Sequence, residues 1–66
     1  MKVLINGNLK EIDSVRTIAE LLDLLRIPAS SALIEQNGNV IARHDFHTAG
    51  VIEGDAIEIV QMVAGG

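Results

Sequence analysis

Apolar residues follow two rhythms along this chain, extended runs at either end and one segment of helical period between them. The first run, Lys2 to Ile5, is continuously apolar at Val3, Leu4 and Ile5, and a second extended run covers Leu9 to Ile12. Asn6-Gly7 stands between them, two residues that tolerate the positive φ of a tight primed turn, so the segment predicts a β-hairpin. A strand without polar alternation suits the centre of a sheet or a place covered on both faces. Asp13-Ser14-Val15-Arg16 breaks the pattern, and the period then changes. In "TIAELLDLLRIP", Ile18, Leu21, Leu22 and Leu25 recur at i, i+3, i+4 and i+7, which puts them on one helix face. Thr17 and Glu20 have capping-box spacing, Glu20 and Asp23 fall towards the opposite side, and Leu24 sits at the flank. Arg26 suits the negative end of the helix dipole, and Pro28 stops the segment.

The extended rhythm returns at Ala32 to Gln36 and Val40 to Ala42, which flank a second turn signal, Asn37-Gly38-Asn39. "RHDFHTAGVIEGD" has no periodicity and carries the turn markers Gly50 and Gly54-Asp55. "AIEIVQMV" gives a last strand, in which Ile57 and Ile59 share one phase and Glu58, Val60 and Met62 the other. The first and last strands are the most apolar. Setting them side by side at the centre, with their hairpin partners outside, buries the greasiest runs. The expected fold is therefore α+β: a mixed four- or five-stranded sheet packed on one helix, the β-grasp arrangement.

Composition narrows the function classes. Sixty-six residues make one domain, residues 1–66, whose core is aliphatic because Phe46 is the only aromatic. A chain of this size buries only about 60 % of its unfolded surface. There is no cysteine, so neither a disulfide nor a thiolate metal site is expected. The opening residues lack a signal-peptide pattern, and no apolar run approaches the roughly 18 residues of a membrane span, so a cytoplasmic, monomeric protein is expected. Nine acids against five bases give a net charge of −4 and no basic face for phosphates. Nucleic acid and anionic membrane are thus poor partners, and the acidity suits either steering towards a basic patch on another protein or, at least as well, solubility alone.

Catalytic chemistry finds little support. His44 and His47 stand three apart around Asp45, but a metal site needs further ligands and no other His or Cys exists. No motif activates Ser14, Ser30 or Ser31. Gly7, Gly38, Gly50 and Gly54 are isolated turn glycines and do not form a phosphate-cradling loop. What remains is the end of the sequence, Ala64-Gly65-Gly66, with so little side-chain bulk that it fits a narrow channel into another protein's active site. Residues 62–66 are expected to form a flexible tail protruding from the body. A terminal carboxylate is ionised near neutral pH and is a poor electrophile until activated, for example as an acyl-adenylate.

"NGN" in the first hairpin, "TIAELL", "ALIEQNGNVIAR", "EGDAIEIV" and the final "VAGG" together resemble the ThiS family, the ubiquitin-like sulfur carriers of thiamine biosynthesis, over essentially the whole chain. The resemblance implies a ubiquitin-like β-grasp fold and a protein that is not an enzyme. It implies that Gly66 is adenylated by an E1-like, ThiF-type enzyme using ATP and Mg, then converted to a thiocarboxylate with sulfur from a cysteine desulfurase relay. A ThiG-type thiazole synthase would take that sulfur. The chain itself would bind no cofactor, and Ala64, Gly65 and Gly66 would thread into the partner's active site. Where many relatives carry tryptophan this chain has Phe46, to which only packing is assigned. If the helix covers Ile57 and Ile59, then Val60 and Met62 form an apolar strip suited to partner docking. Alternatives within reach of the same tail are a molybdopterin-synthase sulfur carrier of MoaD type, a ubiquitin-like protein modifier, and a binding module with an idle tail.

Overall fold

The computed structural model describes residues 1–63. In it, β1 (Lys2–Ile5) and β2 (Asn8–Glu11) form the first hairpin and α1 (Ile18–Leu25) follows. A short 3-10 turn (Ala29–Ser31) then leads to β3 (Ala32–Gln36) and β4 (Asn39–Ile41). A second such turn (Arg43–Asp45) and a loop precede β5 (Ala56–Gln61). The sheet has five strands in the order β2-β1-β5-β3-β4, with β1 parallel to β5 and the other pairs antiparallel. The first and last strands are neighbours and their hairpin partners lie outside, as the apolar pattern predicts. Both hairpins turn on residues with positive φ, Asn6 (50°) and Gly7 (82°) in one, Asn37 (51°) and Gly38 (86°) in the other.

The helix covers one face of the sheet. Ile18, Leu21 and Leu22 are buried against Val3, Ala32, Ile34, Ile57 and Ile59. Leu25 is half-buried and Leu24 is exposed, which settles the flank position. Among the described residues no layer covers the other face. The continuous run Val3-Leu4-Ile5 is therefore not covered on both sides: Val3 is fully buried while Leu4 remains 36 % exposed.

Two boundaries differ from the sequence reading. The helix ends at Leu25, before Pro28, because Arg26 adopts the left-handed conformation (φ 60°, ψ 40°). The Arg26 amide donates to the Asp23 carbonyl (3.1 Å) and the Ile27 amide to that of Leu22 (2.9 Å), a Schellman closure with arginine where glycine is usual. At the other end Thr17 Oγ1 accepts from the Glu20 amide (3.2 Å), while Glu20 Oε1 accepts from Arg16 rather than from Thr17 (3.0 Å). The remaining free amides of the first turn are taken by the loop that precedes β5. Ile18 N–H donates to Ala49 O (3.0 Å) and Ala19 N–H to Phe46 O (2.9 Å). That aperiodic loop is a structural layer of its own, since it also places Phe46 (2 % exposed) and Val51 (5 %) in the core.

Candidate functional site

Central strand β5 carries the chain towards its last residues, so what holds β5 sets where they emerge. β1 pairs with β5 only as far as Ile5↔Ile57. Beyond that point the Asn6 side chain continues the ladder in place of a strand backbone. Its Nδ2 donates to Ile59 O (3.1 Å) and its Oδ1 accepts from Ile59 N–H (2.7 Å). Asn37 does the corresponding work at the start of the strand, where its Oδ1 accepts from Ala56 N–H (2.9 Å) and its own amide donates to Ala56 O (2.8 Å). On the other side β3 follows β5 to Ala32↔Gln61. The Met62 amide then donates to Ser31 O (2.7 Å). Met62, expected to begin the tail, is therefore still tied to the body. Ala64, Gly65 and Gly66 lie outside the described residues.

Asp55 locks the turn that feeds β5. Its carboxylate is 6 % exposed and accepts from the Ile52 amide (2.9 Å), Asn37 Nδ2 (3.0 Å) and Gln36 Nε2 (3.0 Å). Burial alone pushes this carboxyl up. The donors from Asn37, Ile52 and Gln36 together outweigh that, so it lies below the ordinary carboxylate value.

The uncovered sheet face is apolar. Register places Leu33 opposite Val60, and Glu35 opposite both Glu58 and Val40. It also places Leu4 opposite Leu9 and Ala56. Val60 (58 % exposed) lies on this face, in the phase the alternation assigns it, and Met62 (45 %), just past the end of β5, is exposed too. They have company that the sequence reading did not single out. Leu33 (53 %) and Val40 (75 %) extend the strip across β3 and β4. With Val60, Glu35, Glu58 and part of Ile34 they line a shallow groove of about 280 Å³. The signal was available in "ALIEQ", where alternation about buried Ile34 turns Leu33 and Glu35 outward.

The remaining candidates are dispersed. His44 and His47 are exposed, and His44 Nε2 lies 3.5 Å from Asp45 Oδ2. Among the described residues no three His, Asp or Glu side chains gather as a metal site would require. Ser31 Oγ donates to Pro28 O (3.1 Å), a local turn contact. No helix among the described residues is long and apolar enough to cross a membrane.

The whole body has close counterparts. The chain is similar to a thiamine biosynthesis protein, ThiS, of Geobacter metallireducens. Against its crystal structure the identity is 32 %, both chains are covered in full and the TM-score is 0.83. Against its NMR solution structure identity and TM-score are the same, with all of this chain and 88 % of that one covered. It is also 29 % identical, over all 66 residues, to a thiazole synthase of Paramagnetospirillum magneticum, and it spans only 20 % of that relative's length. The sequence model of the ThiS family matches residues 3–66, a span that takes in the helix, all of the sheet but Lys2, and the Ala64-Gly65-Gly66 sequence. This chain belongs to the ThiS family.

Proposed function

We propose that this protein is a sulfur carrier for formation of the thiamine thiazole, itself without catalytic residues. With Gly66 as the terminal residue, its carboxylate oxygen attacks the α-phosphorus of ATP in an E1-like, ThiF-type enzyme, forming the acyl-adenylate and releasing pyrophosphate. That enzyme supplies the Mg and the nucleotide site. A persulfide charged by a cysteine desulfurase then displaces AMP to give an acyl disulfide. A second thiol cleaves its S–S bond, becoming a disulfide itself and releasing the thiocarboxylate, which a ThiG-type thiazole synthase consumes. The observation that carries this reading is the family match extending through residue 66, so that the two final glycines belong to the matched pattern rather than to an unrelated end. The similarity to a segment of a thiazole synthase supports that enzyme as the downstream partner.

The geometry supports the same division of labour. Chemistry is asked only of the last residues, and the body presents a surface for recognition. Val60 lies on the strand that leads to the proposed reacting end, on the face left open by the helix, and Met62 follows directly after that strand. Ala64 and Gly65 are the residues proposed to thread towards the partner's reaction centre, where a backbone without bulk can approach closely. Deleting Gly66 should abolish ATP–pyrophosphate exchange with the activating enzyme while leaving the circular dichroism spectrum unchanged. Exchange that persists in the deletion variant would overturn the assignment.

A further inference from the structure

We infer that the open sheet face docks the activating enzyme around one cationic side chain of that enzyme, held between Glu35 and Glu58. This rests on the carrier reading above and adds to it the chemistry of the contact. Glu35 and Glu58 are direct cross-strand partners, so their side chains rise from the same face side by side. Both are exposed, and among the described residues neither lies within ion-pair distance of a cation. Lys2 is on the same face, but register sets it opposite Glu11, at the far end of the first hairpin. Like charges placed directly opposite each other weaken a strand pair. Here that pair sits inside an apolar frame of Leu33, Val40 and Val60, in the groove already described.

This arrangement restricts the occupant. In the free protein, water screens the two carboxylates from each other. A purely apolar partner would expel that water and leave two like charges facing each other in a poor dielectric. A second copy packed on this face about a two-fold axis would bring four carboxylates together, because such an interface uses the same patch twice. An anionic membrane or nucleic acid would add to the repulsion. A protein surface that is apolar at its rim and projects one Arg or Lys satisfies every group at once, and a guanidinium can engage both carboxylates. The activating enzyme is the fitting occupant because the face is continuous with Val60 and Met62, at the base of the segment on which that enzyme acts.

The test is steady-state ATP–pyrophosphate exchange with the activating enzyme of the same organism, over a range of ionic strength. It compares the wild-type chain, the double variant Glu35→Gln/Glu58→Gln, and Val60→Asp. The double variant should raise KM for the carrier on the order of ten-fold or more, leave kcat unchanged, and flatten the salt dependence of kcat/KM. In urea it should be as stable as wild type or more so, since a repulsion has been removed. A merely structural role for the pair predicts the reverse, lower stability with unchanged KM. Unchanged KM and salt dependence in a folded double variant, with Val60→Asp impaired, would overturn the cation while leaving the apolar docking face. A wild-type chain that supports no exchange would overturn the carrier reading and this inference with it.

Discussion

Removing the Asp55 carboxylate is the sharpest test of how the body is held together. Asp55→Ala deletes the single acceptor shared by the Ile52 amide, Asn37 Nδ2 and Gln36 Nε2. A hydrogen bond to a charged acceptor contributes roughly 1.5–3 kcal/mol. The three do not add in full, because Asn37 is exposed and Gln36 half-exposed, so their amides can turn to water. A loss of about 3 kcal/mol is expected, a large share of the roughly 3–10 kcal/mol available to a domain of this length. At about 4–8 °C per kcal/mol, the melting temperature should fall by roughly 12–24 °C. The chain has neither Trp nor Tyr, so urea and thermal unfolding are followed by far-ultraviolet circular dichroism. The carboxyl lies below its ordinary value, so its stabilisation is fully present above about pH 4 and is lost as pH falls through the folded-state pKa. The gap between wild type and variant should therefore be wide near pH 7 and narrow steadily below about pH 4. A loss under about 1 kcal/mol near neutrality, or a gap that does not change with acidification, would refute the reasoning.

Arg26→Gly should stabilise the protein by about 0.5–1 kcal/mol, since glycine takes the left-handed helix closure without a Cβ penalty; a urea midpoint equal to or below wild type would count against it. Asn6→Gly keeps the positive-φ turn but deletes both side-chain bonds to Ile59, so a loss of about 1–2 kcal/mol is expected, together with faster hydrogen exchange at the Ile59 amide; unaltered protection there would show that the side chain does not hold β5. Val60→Asp lies on the open face, so it should cost about 1 kcal/mol of stability or less while raising KM for the activating enzyme about ten-fold, read by pyrophosphate exchange; normal KM in a folded variant would remove Val60 from the contact.

Much of this molecule is legible in its sequence because each local signal agrees with the global fold. The two Asn-Gly pairs fix the hairpins, the 3.6 period of Ile18, Leu21 and Leu22 fixes the buried helix face, and the apolar runs fix which strands are central. What escaped reading was long-range. Nothing near Arg26 in sequence announces a left-handed residue, because the closure is chosen by Ile27 and the helix packing beneath it. The segment from Arg43 to Asp55 reads as aperiodic loop, yet it caps the helix and buries Phe46 and Val51, roles set by partners some 30 residues away. Asn6 and Asn37 look sufficiently explained by their turns, and their bonds to β5 become visible only when the strand is alongside. The strip expected at Val60 and Met62 extends to Leu33 and Val40 because strand register, which one strand alone cannot supply, brings them together. The proposed reacting end is read from sequence alone, since Ala64 to Gly66 lie outside the described residues.

The most direct test of the central claim is the intact mass of the protein after incubation with the activating enzyme, ATP, Mg, a thiol reductant and a cysteine desulfurase with cysteine. The carrier account predicts a mass increase equal to one oxygen-for-sulfur exchange, located by fragmentation at Gly66 and lost when thiazole synthase and its substrates are added. An unchanged mass under conditions in which the activating enzyme is demonstrably active, or a covalent adduct on lysines of other proteins in place of the exchange, would contradict it.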